Sequence, residues 1–160
     1  MNIEEEFRQR VIDHLAGLSD SLKPVLGELI QFDYPEEIDT IAFEIFVDGF
    51  TSGFPVRAFF MDKDNSEHFI YVNGKAEYPS PVDPDLLKIE YVYPVELEEE
   101  YEDKDESLDL WNIATSSMIE WFSKCWNEAG GREFKLKANI APHDSNHEFD
   151  LLESKWQDRW

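Results

Sequence analysis

The chain is poor in cysteine and in positive charge. Cys125 is the single cysteine of 160 residues, so no intrachain disulfide can form; a reducing compartment is consistent with this. Only 14 Lys and Arg, scattered along the chain, face 36 Asp and Glu, and the formal net charge is −22. Phosphate contacts need clustered bases, and a surface this negative repels nucleic acid and anionic lipid headgroups. No apolar run approaches the roughly 20 residues that span a bilayer. The opening Met1-Asn2-Ile3-Glu4-Glu5-Glu6 lacks the basic-then-apolar order of a secretory signal. These absences predict a soluble cytoplasmic protein that binds neither nucleic acid nor membrane. There is also no glycine-rich phosphate loop, since Gly49, Gly53, Gly74, Gly130 and Gly131 fall at expected turns or at a helix stop.

What the chain has is apolar and aromatic mass. Hydrophobic residues make up 42% and aromatic residues 14%. Disordered acidic proteins are poor in aromatics, so the negative charge is expected on the surface of one folded domain covering residues 1–160.

Periodicity outlines the elements. Ile3, Phe7, Val11, Leu15 and Leu18 recur at helical steps over residues 3–18. Leu22, Val25, Leu26, Leu29 and Ile30 continue the pattern, with Pro24 arguing for a break or a second helix starting near Ser21. Period two then takes over: Ile41, Phe43, Ile45 and Val47 mark a strand over 39–48, Val56, Ala58 and Phe60 a second over 54–61, and Phe69 and Tyr71 a third over 67–72. Asn73-Gly74 is a hairpin signal. Pro79, Pro81 and Pro84 make an irregular connection, and Ile89, Tyr91 and Tyr93 suggest a fourth strand over 86–93. Residues 107–128 read as a long helix with Trp111, Ala114, Met118, Trp121, Phe122 and Cys125 on one stripe, Ser107 as its N-cap and Gly130-Gly131 as its stop. Phe134, Leu136, Ala138 and Ile140 alternate with Lys135, Lys137 and Asn139 as in a sheet with one wet face. A final strand through Phe149 and Leu151 covers 147–153. The expected fold class is α+β: a mostly antiparallel sheet of five to six strands, with an N-terminal helix or helix pair and the long helix packed on one face.

Candidate chemistry is sparse. His143, Asp144 and His147 sit close enough in sequence to suggest a metal or catalytic cluster, but their spacing matches no zinc signature and the segment reads as a turn. Asp62, Asp64 and Ser66 begin like a calcium loop, yet the glycine and glutamate that such a loop requires are missing, which leaves a hairpin turn. Cys125 lies on an apolar stripe, as inert structural cysteines do. His14 and His68 have no partner visible in sequence. No catalytic residues, metal site or cofactor are expected.

The sharpest feature is the run from Glu96 to Glu106, with eight acids and one lysine in eleven residues. Such a block is usually a solvated loop. It also suits recognition of a basic protein, because complementary charge speeds association and makes it salt-sensitive. The candidate partner-binding residues are Glu98, Glu99, Glu100, Tyr101, Glu102, Asp103 and Asp105. Tyr101, with Trp156 and Trp160, offers aromatic anchors of the kind that dominate interfaces.

Several stretches carry a resemblance: Phe32-Asp33-Tyr34-Pro35, Asp48-Gly49-Phe50, Ala138-Asn139-Ile140-Ala141-Pro142-His143-Asp144, then Phe149-Asp150-Leu151 and Trp156. In layout and in these short motifs the chain resembles small acidic bacterial proteins similar to the immunity proteins that protect a cell from a polymorphic toxin. The resemblance implies a non-enzymatic protein that binds and blocks a toxin domain, with no catalytic residues. Two other function classes remain open on sequence: a general interaction module for a basic partner, and a small enzyme or metal-binding protein using the His143–His147 turn. The enzyme class ranks last, for want of a nucleophile–base pair or a complete ligand set.

Overall fold

The computed structural model describes residues 1–159; Trp160, one of the expected anchors, lies outside the described residues. The fold is α+β. Helix α1 (Ile3–Ala16) starts at Asn2, whose Oδ1 accepts the Glu5 N–H at 2.8 Å, and carries three acids in its first turn where the helix dipole favours them. It buries Phe7, Val11 and Leu15, the i, i+4, i+8 face. Helix α2 (Ser19–Gln31) follows almost at once and buries Leu22, Leu26 and Leu29.

Of the two alternatives raised at Pro24, the structure takes the second helix: it starts at Ser19, two residues before Ser21, and holds Pro24 inside it and not in its first turn. The one backbone bond that proline forfeits is outweighed by the leucines buried on either side, each contributing about 1.5–3 kcal/mol of transfer free energy.

Five strands form the main sheet: β1 (Thr40–Ile45), β2 (Val56–Met61), β5 (Lys137–Pro142), β6 (His147–Asp150) and β7 (Lys155–Asp158), in the order β2-β1-β5-β6-β7. Three of the four junctions are antiparallel, as expected, but β1 and β5 run parallel, with Phe43 opposite Ile140. That parallel pair is a crossover absent from the sequence reading. It arises because the chain between them, including the helices α3 (Val95–Lys104) and α4 (Leu110–Glu128), passes over one face before returning.

The short strands β3 (Ile70–Val72) and β4 (Lys75–Glu77) pair only with each other, through Asn73 and Gly74, both at positive φ. This is the geometry of a primed two-residue turn. The expected third strand over 67–72 therefore stays outside the main sheet, joined to it at the Met61–Glu67 bridge.

The expected fourth strand over 86–93 does not form. Leu86, Leu87, Val92 and Tyr93 are buried at irregular spacing, and the backbone is spent elsewhere: Val92 N–H donates to the Phe50 carbonyl at 2.8 Å. Instead β7 closes the sheet. It was hidden because Ser154 turns the chain at positive φ, without glycine or proline, while Asp150 Oδ1 accepts the Leu152 and Glu153 amides.

Helix α4 is the central helix. Asp109, not Ser107, caps it by accepting the Asn112 N–H at 3.2 Å. Its buried residues include Ala114, Met118, Phe122, Cys125 and Trp126. Trp111 lies on the same arc but stays 46% exposed. Phe43 of β1 meets Phe122 at 4.8 Å and Trp126 at 5.8 Å between ring centres. All four helices and the strands β1, β2 and β5 contribute to one buried cluster.

After α4 the chain turns at Gly130 (φ +99°), and Gly131 packs directly against the Trp126 indole. A methyl group at Gly131 would overlap that fully buried ring. Gly131→Ala is expected to cost roughly 1–3 kcal/mol of overpacking strain, read as a lower urea midpoint with an unchanged m value.

Candidate functional site

The acidic run is not a loop: Val95–Lys104 is helix α3. Glutamate and leucine are good helix formers, Leu97 and Tyr101 bury one edge at a four-residue step, and Glu100 Oε2 pairs with Lys104 Nζ at 3.1 Å one turn on. The Leu97-x-x-x-Tyr101 spacing was the available signal, masked by the density of charge around it.

The helix sorts the seven predicted residues into two groups. Tyr101 is fully buried, 5.3 Å from the Phe7 ring and capped by Lys104 Nζ at 4.5 Å; it is a core residue and not an exposed anchor. Glu98 Oε2 accepts the Tyr93 hydroxyl at 2.7 Å. Burial, and then this carboxylate, push the Tyr93 phenol well above its ordinary value. Glu100 takes Arg10 Nη1 at 3.1 Å on both oxygens as well as Lys104, and the hydrogen bond from Lys104 leads in holding its carboxyl below the usual range. Asp105 accepts the Ser107 hydroxyl at 2.6 Å and its amide at 3.0 Å, which lowers it likewise. Glu99, Glu102 and Asp103 are exposed, with no ion pair or side-chain hydrogen bond among the described residues. Glu96, one turn before Glu99 and Glu100, is exposed as well. The free negative charge of α3 is thus Glu96, Glu99, Glu102 and Asp103.

A second polar region lies on the face of the sheet turned away from the helices. Thr40, Ala42 and Glu44 of β1, Asn139 of β5 and Glu148 of β6 share that face by register. With Phe59, Met61, Asn65 and Glu67 on one side, and His143, Asp144 and Arg159 on the other, they line a cleft of about 300 Å³. Arg159 reaches into it, its side chain only 11% exposed, and pairs with Glu44 Oε1 and with Glu148 Oε1, the latter at 3.5 Å. Both carboxylate side chains are 14% exposed. Gln157 Nε2 donates to the other Glu148 oxygen at 2.7 Å. Burial raises the Glu67 carboxyl above its ordinary value, partly offset by Arg57. Of this lining the sequence singled out only His143 and Asp144, because the residues come from four separate segments and the strand that delivers Arg159 went unread.

The histidine cluster separates. The His143 ring packs tilted against Phe46, 4.7 Å between ring centres, and approaches Asp144 at 3.6 Å, whereas His147 Nδ1 faces Asp158 at 3.1 Å across β6 and β7. Among the described residues no group of three or more His, Cys, Asp or Glu is arranged to hold a metal ion. Asp62 Oδ1 accepts the Asp64 and Ser66 amides at 2.9 and 3.0 Å, a self-bonded turn. Cys125 is buried, and burial pushes its thiol up. Trp156 is 53% exposed, its ring 5.6 Å from that of Phe149. No helix among the described residues is long and apolar enough to cross a membrane.

Compared with protein-family models, with curated proteins and with solved structures, the chain matches none.

The two groups on α3 separate in stability measurements. Tyr101→Ala is expected to cost about 3–5 kcal/mol, the range for removing a buried aromatic ring. Glu102→Ala should stay within about 0.5 kcal/mol, as exposed substitutions do. Urea titrations of both variants check this. Cys125, short of thiolate and shielded, should resist iodoacetamide at pH 8 in the native protein and react fully in urea, as mass spectrometry would read.

Proposed function

We propose that this chain is an acidic binding protein of the immunity type: it captures a basic toxin domain in the cytoplasm and blocks it by stoichiometric occlusion, without turnover. The observation that carries this reading is the row of unpaired carboxylates Glu96, Glu99, Glu102 and Asp103 on α3, a helix fastened to the core by Leu97 and Tyr101. A rigid element that presents like charges has already met the conformational cost of ordering them, so less is lost on binding. The net charge of −22 extends the attraction over the whole surface, steering a cationic partner into encounter. Internal contacts occupy Glu98, Glu100 and Asp105, so recognition falls to the four free carboxylates.

The test compares the native chain with Glu96→Gln/Glu99→Gln/Glu102→Gln/Asp103→Asn. Immobilised native protein should retain a basic protein at low salt, and one equivalent of the native chain should abolish that protein's toxicity or enzymatic activity. The fourfold variant should bind it at least tenfold more weakly and with a flatter dependence on salt. Equal affinity and an equal salt slope would remove α3 from recognition. A retained protein that binds without being inhibited would favour the general interaction module.

A further inference from the structure

We propose that the cleft on the helix-free face of the sheet binds a guanidinium group, carried by an arginine side chain or by a free alkylguanidine. Three acceptor oxygens there are shielded from solvent and receive no hydrogen bond from the described residues: Glu44 Oε2, Glu67 Oε1 and Asn139 Oδ1. Buried acceptors are ordinarily satisfied, and three lining one cleft point to an absent donor. Asn139 is the most telling of them. It is 8% exposed, sits on β5 between Ala42 of β1 and Asp150 of β6, and lines the cleft from the centre of the sheet. The pairing on both sides fixes its backbone, so it cannot swing outward to find water.

The electrostatics specify the charge of the ligand. Glu44, Glu67, Asp144 and Glu148 line the cleft against the single guanidinium of Arg159, so a further cation is attracted. The geometry favours guanidinium over ammonium. The open oxygens come from β1, from β5 and from the Glu67 segment beside β2, and a planar group with five N–H donors spans separated acceptors better than a point charge with three. Phe59 and Met61 supply an apolar wall for the methylene stem and the flat face of the group. A volume of about 300 Å³ sits at the small end of ligand pockets and suits one such group. The Arg57 guanidinium is engaged outside the cleft, with Asp85 at 2.8 Å. The site shares no residue with the free carboxylates of α3, so each reading stands or falls separately.

The test titrates the intact, 15N-labelled chain at constant ionic strength with N-acetylarginine amide, agmatine and N-acetylcitrulline amide, whose urea group has guanidinium shape without its charge. The Asn139 side-chain amide and the Ala42 and Ala141 backbone amides are the reporters. Saturable shifts are expected with the two guanidines, at least tenfold weaker with the citrulline compound. Glu67→Gln should weaken guanidine binding at least tenfold; among the described residues Glu67 forms no ion pair, and unaltered core resonances would verify that this variant folds. Stronger binding of N-acetylarginine amide assigns the site to a protein side chain, and stronger binding of agmatine assigns it to a free alkylguanidine. Absence of saturable shifts, equal binding of the citrulline compound, or equal binding by the Glu67→Gln variant overturns the proposal. Loss of the response in the fourfold α3 variant also overturns it, since the effect would then come from overall charge and not from the cleft.

Discussion

The packing of α4 on β1 holds the rest of the structure in place. Phe43 meets Phe122 and Trp126, and Trp126 in turn meets Phe134 at 5.4 Å just before β5. Helix α4 also contacts α1, α2, α3 and β5. One helix therefore gathers the other three over a single face of the sheet. The Trp121 Nε1 bond to Ser19 Oγ at 2.8 Å fixes the start of α2 against it. Polar groups within α4 are accommodated locally, as where the Ser117 hydroxyl donates to the Ile113 carbonyl at 2.8 Å.

Such a core is needed because the surface works against it. A net charge of −22 repels itself, and the exposed ion pairs, such as Lys88 with Asp83 and Arg10 with Glu100, contribute at most about 1 kcal/mol each. The stability comes from aromatic and leucine burial; acids in the first turn of α1 and along the outer side of α3 do little harm, while those around the cleft opposite the helices are partly shielded from water. The two sides of the molecule thus differ in kind. The helical side presents solvated charge on a rigid rod, and the sheet side presents partly dehydrated oxygens in a depression.

Helices α1, α2 and α4 and the first two strands were legible because one periodicity dominates each: four-residue steps through Phe7, Val11 and Leu15, two-residue steps through Ile41, Phe43 and Ile45. The reading failed where another force overrode the local pattern. Leu97 and Tyr101 turned a charge run into a helix. The apparent alternation at Ile89, Tyr91 and Tyr93 gave way to irregular backbone bonds to Phe50. Strand β7 escaped because its turn uses an aspartate side chain and a serine at positive φ. Of the candidate site residues, Glu99, Glu102 and Asp103 kept the exposure expected of them, while Tyr101 did not. Apart from His143 and Asp144 on its lining, the cleft was illegible, since a cavity assembled from Glu44, Glu67, Asn139 and Arg159 exists only once the strands have been ordered.

The parallel seam between β1 and β5 has a consequence for how the molecule is made. Thr40 lies beside Lys137, about a hundred residues later in the chain. Closing a loop of that size is entropically slow, and sheets dominated by distant pairings fold late. At a ribosome adding about 5–20 residues each second, the β1–β2 hairpin emerges several seconds before its central neighbour. Through that interval Phe43 and Ile45 have no β5 beside them, and for most of it no α4 above them. A chaperone that shields apolar strands would find its longest opportunity there, and the rate of elongation from β2 to β5 sets how long that opportunity lasts.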